Sequence, residues 1–165
     1  MDIEKLINKI IPATDYQHRN GFSNTHIIDH LNEYEKKLLE DELINKLISQ
    51  TKDMLVVETL AYIKSEKSLP SLYDLLSKNT DEMAILIIAT SIFEINGDIN
   101  MIDIAIDSVK KIDNFEDAYY TYKLITAFYH LIKFQNDRIN SVINGYKNHK
   151  EYLIAHNAKQ VLGKR

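Results

Sequence analysis

Hydrophobic residues recur along this chain at intervals of three and four, the spacing that places them on one face of an α-helix. The first such stretch, 2–11, predicts a short helix that ends at a proline. Residues 12–24 contain proline, glycine and several Asn, Asp and Ser residues, so we expect a loop there. Asn24 or Thr25 is suited to cap the helix that follows, since both side chains can accept a free backbone N–H.

Two amphipathic runs follow the loop. The first predicts a helix with an apolar side made of Ile27, Ile28, Leu31 and Tyr34. The second carries Leu38, Leu39, Leu43, Ile44, Leu47 and Ile48 at helical spacing.

From residue 53 the chain repeats a pattern of helix, short break and second helix, with units at 53–78, 81–112 and 116–149 and a final helix at 150–162. In the first unit Ser68 is a candidate cap. In the second unit we expect one helix to end at Asn96-Gly97, with Gly97 in the left-handed conformation, and Asp98 to cap the next helix. In the third unit the break falls at 135–137.

These repeats resemble HEAT-like repeats of the short bacterial type. The resemblance is carried by Leu60, Ala61 and Ile63, by the run Ser68-Leu69-Pro70 with Leu72, Leu75 and Leu76, and by Ala89, Phe93, Asn96, Gly97 and Asp98. It implies a curved stack of helix pairs whose second helices line a concave, protein-binding face. Small acidic proteins of this kind are often immunity proteins of contact-dependent or polymorphic toxin systems.

We therefore predict an all-α fold, an α-solenoid of HEAT-like antiparallel helix pairs with about seven to nine helices. The 165 residues are expected to form a single domain, 1–165, with N-terminal helices or a cap at 1–50 and the repeats at 53–162.

The residue types present exclude several kinds of chemistry. The chain has no cysteine and only four glycines, and it contains no nucleophile elbow, phosphate-binding glycine loop or dinucleotide fingerprint. We expect no enzyme activity, no cofactor and no small-molecule ligand. We also expect no membrane span and a cytoplasmic location, because the start lacks a signal-peptide pattern and the apolar runs are short.

Charge is distributed unevenly. Residues 81–117 carry nine acids and two bases, whereas 118–165 carry two acids and eight bases. The basic third could contact phosphate, but the whole chain has a net charge of −4, so we expect no nucleic-acid partner. A strongly acidic segment favours capture of a basic protein.

The acidic segment supplies the candidate partner-binding residues. Along 99–111, Ile99, Ile102, Ile106 and Val109 predict a buried stripe, and the opposite stripe holds Asn100, Asp103, Asp107 and Lys110. We call the candidate surface the acidic ridge and define it as Asp98, Asn100, Asp103, Asp107, Glu116, Asp117, Tyr119 and Tyr120. The alternative interpretation is an ordinary solvated helix face.

Tyr119, Tyr120 and Tyr122 open a helix beside these acids. Successive tyrosines cannot all face one core, so at least one should be exposed and able to anchor a partner. The alternative is that two of them pack between repeats.

His26 and His30 are four residues apart, a spacing that can bind zinc, and His18 lies upstream. The glutamate of a zinc-protease motif is absent, so the pair is a weak metal candidate.

Three functions remain open at this point. The first is an immunity protein that blocks the active cleft of a basic toxin domain. The second is a scaffold or adaptor protein of an endogenous complex. The third is a metal-dependent enzyme that uses His18, His26 and His30.

Overall fold

The computed structural model describes residues 3–49 and 51–163, and all regular structure within these two ranges is helical, with no strand. The predicted all-α class is confirmed. Two short 3₁₀ turns, Glu66–Ser68 and Ile132–Phe134, accompany the α-helices. The helices are α1 (Ile3–Ile10), α2 (Tyr16–Arg19), α3 (Thr25–Asp29), α4 (Glu33–Ile48), α5 (Met54–Tyr62), α6 (Leu69–Lys78), α7 (Glu82–Asn96), α8 (Asn100–Ile112), α9 (Tyr120–Leu131), α10 (Asp137–Gly145) and α11 (Tyr152–Gly163).

The predicted number of helices is wrong. Eleven α-helices lie within the described residues, against the expected seven to nine. Part of the difference is the four-residue α2, which lies inside the loop predicted at 12–24. Arg19 holds this region in place: its guanidinium donates to the carbonyl of Pro12 and forms an ion pair with Asp53 at the start of α5. A helix of one turn is too short to show a hydrophobic period in the sequence. It could therefore not be predicted from the spacing of apolar residues.

The helix predicted around Ile27 to Tyr34 is interrupted. It ends at Asp29, and α4 begins after Asn32, whose side-chain oxygen accepts from the Glu35 N–H while the Glu35 carboxylate accepts from the Asn32 N–H. This reciprocal capping box favours a new helix start at this point. Tyr34 therefore falls in the first turn of α4, where it is 69% exposed rather than part of the apolar side.

Asn24 does not cap α3 through its side chain. The side chain is buried instead and donates to the Ile10 carbonyl at 3.1 Å and to the Thr59 hydroxyl at 2.7 Å. It thereby ties α1 and α5 together. Ser68 likewise makes no side-chain cap; its hydroxyl donates to the Ser65 carbonyl inside the protein.

The break between α7 and α8 forms as predicted. Gly97 ends α7 with φ +72°, and its N–H donates to the Phe93 carbonyl. Only glycine adopts this backbone conformation without a steric penalty. Asp98 then accepts from the Asn100 N–H at the start of α8.

Packing between helices follows the order of the chain. The first helices of successive pairs pack side by side, α5 on α7, α7 on α9 and α9 on α11. The second helices pack less closely than the first helices do. Helices α8 and α10 contact each other, whereas α6 and α8 make little or no direct contact. A connected cluster of buried apolar side chains extends from Ile7 in α1 to Val161 in α11, so the N-terminal helices share one core with the helices of 53–163.

None of the helices in 3–49 and 51–163 is both long and apolar enough to cross a lipid bilayer.

Candidate partner-binding surface

Helix α8 carries the central part of the acidic ridge. Its inner side is buried through Met101, Ile102, Ala105, Ile106, Val109 and Ile112. Asp103 and Asp107 lie on the opposite, exposed side, as the spacing predicted. Ile99 departs from the prediction: it was assigned to the buried stripe but is 72% exposed, because it precedes the first helical turn and its side chain does not follow the periodicity of the helix.

The carboxylate of Asp98 links the start of α8 to Tyr73 of α6. One carboxylate oxygen accepts from the backbone and side chain of Asn100, and the other accepts from the Tyr73 hydroxyl at 2.6 Å. The Tyr73 hydrogen bond is the main reason that the pKa of Asp98 is lowered. Asp98 and Asn100 therefore join α6 to α8 while remaining at the edge of the ridge.

The two central carboxylates already have cationic neighbours. Asp103 pairs with Arg138 of α10 at 2.6 Å, and Asp107 pairs with Lys110 at 3.1 Å. Both aspartates are about two-thirds exposed, at 65% and 67% of the side chain. Exposed pairs of this kind contribute about 0–1 kcal/mol, so a competing cation can displace them at low cost.

The linker between α8 and α9 continues the ridge. Asp117 accepts from the Tyr119 N–H at 2.8 Å and from the Lys123 ammonium at 2.5 Å. The Lys123 contact is the main cause of a lowered Asp117 pKa. Glu116 is exposed.

The tyrosines divide as the sequence predicted, with at least one exposed. Tyr119 and Tyr122 are 68% and 69% exposed. Tyr120 is half-buried against the core, its ring 6.4 Å from that of His149, and burial is the main cause of its raised pKa. Of the two tyrosines assigned to the ridge, Tyr119 is thus the accessible one.

Phe115 was missed by sequence reasoning. It is 76% exposed, in the linker directly before Glu116. Its only sequence signal is a large apolar residue among Asp and Asn, in a segment with no periodicity. Ile99 and Phe115 thus stand in the turns that precede and follow α8, a helix of 13 residues and about 20 Å.

The histidines of the N-terminal region do not form a ligand cluster. His26 and His30 are exposed, and one ring nitrogen of His30 lies 2.6 Å from the His26 carbonyl oxygen. His18 pairs with Asp15 at 2.8 Å. In the described part of the chain no three His, Asp or Glu side chains lie close enough together to hold a metal ion.

A second polar site lies where α5, α7 and α9 pack together. Glu58 of α5, Glu94 of α7 and His130 of α9, with Lys133 just beyond α9, form what we call the notch. Lys133 pairs with Glu94 at 3.2 Å, and the His130 Nε2 atom lies 3.9 Å from a carboxylate oxygen of Glu58.

Burial controls ionisation in the notch. It raises the pKa of Glu58, an effect that Lys133 opposes and Glu94 reinforces. It also lowers the pKa of His130 to about 4, with a smaller contribution from Lys133. His130 is consequently neutral at pH 7. The available sequence signal was Glu58 itself, a lone acid within the otherwise uncharged α5.

No protein-family model matches the chain, and comparison with curated proteins and with solved structures finds no similar protein.

Proposed function

We propose that this protein is a protein-binding α-solenoid of HEAT-like helix pairs that acts as an immunity protein. In this proposal it binds a basic toxin domain and blocks the active cleft, with no chemical turnover. The observation that carries the proposal is the pair of exposed apolar side chains, Ile99 and Phe115, at the two ends of α8, the helix that presents Asp103 and Asp107 to solvent. A large apolar side chain that is exposed beside acids can anchor an interface, and the charges around it can guide association.

The solenoid part of the proposal is supported by the packing order. Each first helix contacts the first helix of the next pair, as a stack of repeats requires. In a curved stack the inner helices lie closer together than the outer ones. The first helices of successive pairs pack closely, whereas the second helices α6 and α8 make little or no direct contact. We therefore place the first helices on the inner side. This differs from the HEAT-like resemblance, which implied a concave face made of second helices.

The steps of recognition follow from the ridge. The acidic side of α8 would attract a basic surface over several ångströms and raise the association rate. Asp103 and Asp107 would then exchange Arg138 and Lys110 for cations of the partner. Burial of Phe115 and Tyr119 against that partner would slow dissociation.

The experiment that tests this function is capture followed by inhibition. The tagged chain is used to isolate binding proteins from the source cells, and each captured protein is expressed and assayed alone and with a molar equivalent of this chain. An immunity protein abolishes the activity or toxicity of its partner. A stable complex in which the partner keeps its full activity would instead identify a scaffold or adaptor, the second candidate function.

A further inference from the structure

The notch contains two polar groups that no described residue satisfies. His130 is 8% exposed, and its Nδ1 atom is buried without a hydrogen-bond partner. Its Nε2 atom faces Glu58 across 3.9 Å, a distance too long for a hydrogen bond. Glu58 accepts no hydrogen bond from the described residues, although only 36% of its side chain is exposed. A buried polar atom without a partner, such as His130 Nδ1, is rare in folded proteins and calls for an explanation, and the half-exposed Glu58 carboxylate beside it is open to a ligand.

The chemistry of Glu58 selects the class of ligand. A carboxylate accepts hydrogen bonds only, so a ligand for it is a donor, and a charged donor bonds to a carboxylate more strongly than a neutral one does. A metal ion does not suit the site, because the described residues offer no group of three ligands. Lys133 is paired with Glu94 and acts on Glu58 only through longer-range attraction, which leaves the Glu58 carboxylate without a hydrogen-bonded cation among the described residues.

We infer that the notch binds the guanidinium group of an arginine side chain presented by a protein partner. A guanidinium is planar and donates two parallel hydrogen bonds to one carboxylate, which suits an acceptor in a narrow, half-buried position. Tyr62 lies one turn after Glu58 on the same side of α5 and is 44% exposed, so it offers an aromatic face on which the arginine can stack. The inference rests on the proposed binding function and names a contact point on the first helices, separate from the acidic ridge on α8.

The test needs no identified partner. The probe is N-acetyl-arginine methylamide, titrated into the isotopically labelled protein while backbone and His130 ring resonances are followed by NMR. N-acetyl-citrulline methylamide, a neutral compound of nearly the same shape, is the ligand control. We expect saturable shifts centred on Glu58 and His130 with the arginine compound and at least about tenfold weaker binding of citrulline.

Two variants complete the experiment. Glu58→Gln should weaken binding of the arginine probe about tenfold, whereas Glu151→Gln, on an exposed residue before α11, should leave it unchanged. Glu58→Gln should also raise the melting temperature by roughly 2–4 °C, because it removes an unpaired, half-buried charge. A residue with a purely structural role would show the opposite change in stability.

The inference is overturned by equal binding of the citrulline and arginine compounds, by no saturable shift at the notch, or by unchanged binding to Glu58→Gln. None of these results bears on recognition through the acidic ridge. Loss of partner binding on charge reversal of the ridge can still be measured, so failure of the notch is distinguishable from failure of the proposed function.

Discussion

The Nε2 atom of His130 lies 3.9 Å from the Oε1 atom of Glu58, so that two ionisable groups from α9 and α5 face each other without a hydrogen bond. His130 is buried and Glu58 is half-buried, and in both residues burial disfavours the charged form. The fold therefore holds both groups where their ionised forms are disfavoured. Natural proteins tolerate such local costs mainly where binding or catalysis uses them.

The pH dependence of stability should report on His130. Its pKa is about 4 in the folded chain against an ordinary 6.5, so the unfolded chain binds the proton first as the pH falls. Stability present above pH 6.5 is then lost between pH 6.5 and 4. The raised pKa of Glu58 acts in the opposite direction, because the folded state retains that proton more readily as the pH rises.

His130→Gln should remove the histidine contribution. Between pH 7 and 4.5 the variant should lose roughly 2 kcal/mol less unfolding free energy than the wild type does, as measured by urea titration at both pH values. His26→Gln, at an exposed position, serves as the control and should behave like the wild type. Equal losses in the wild type and His130→Gln would contradict a buried, neutral imidazole.

A pair of phenylalanines should separate stability from binding. Phe128 is fully buried and packs against Tyr146 with ring centroids 5.1 Å apart, so Phe128→Ala should destabilise the protein by about 3–5 kcal/mol. Phe115 is 76% exposed, and Phe115→Ala should change stability by less than about 0.5 kcal/mol while weakening partner binding. Thermal unfolding of both variants checks the first expectation. A large loss of stability in Phe115→Ala would show that this residue belongs to the core.

Two glycines allow a matched test of the turn before α8. Gly97 has φ +72°, and a methyl group placed there would meet no atom within 4 Å, so Gly97→Ala should cost about 1–2 kcal/mol through backbone strain alone. Gly145 has equal space but lies in the last turn of α10. Gly145→Ala should therefore be neutral or slightly stabilising. Denaturant unfolding compares the two, and equal effects would count against the left-handed turn.

Asn24 should stabilise the packing of α1 against α5. Asn24→Ala removes two buried hydrogen bonds, to Ile10 and Thr59, and leaves their acceptors unsatisfied, so we expect a loss of about 1–3 kcal/mol. Asn144→Ala, at an exposed position on α10, is the control. Hydrogen exchange in α1 should accelerate in the first variant only. If exchange there is unchanged, α1 is held by other contacts.

Much of the fold was predictable from residues 53–163 because long amphipathic helices bury a periodic stripe. The stripe of α8 and the break at Gly97 could be predicted because a helix has a fixed period and a left-handed turn favours glycine. The N-terminal region was harder. The one-turn helix α2 and the inward-facing Asn24 depend on contacts that periodicity does not encode, and they account for the extra helix and for the wrong cap.

The candidate site, like the fold, was predictable only where helical periodicity determines which side chains are exposed. Asp103 and Asp107 were predicted on the exposed side of α8 because their positions follow from the helical repeat. Ile99 and Phe115 lie in turns, where no period relates sequence to exposure, and the pairing of Asp103 with Arg138 depends on the neighbouring pair of helices. The notch unites three helices that are distant in sequence, so only their packing could reveal it.

The most direct test of the binding function is charge reversal on α8 by Asp103→Lys with Asp107→Lys. The matched control is Asp41→Lys with Glu33→Lys on α4, which alters the same net charge and likewise breaks one contact beyond its own helix, with Lys67, and one pair three residues apart, with Lys36.

Affinity of the captured partner is measured for the wild type and both double variants by titration calorimetry at fixed ionic strength, after circular dichroism has shown that all three are folded. We predict that the α8 variant binds at least about a hundredfold more weakly and that the α4 variant binds like the wild type. Undiminished binding by the α8 variant would contradict recognition through the acidic ridge.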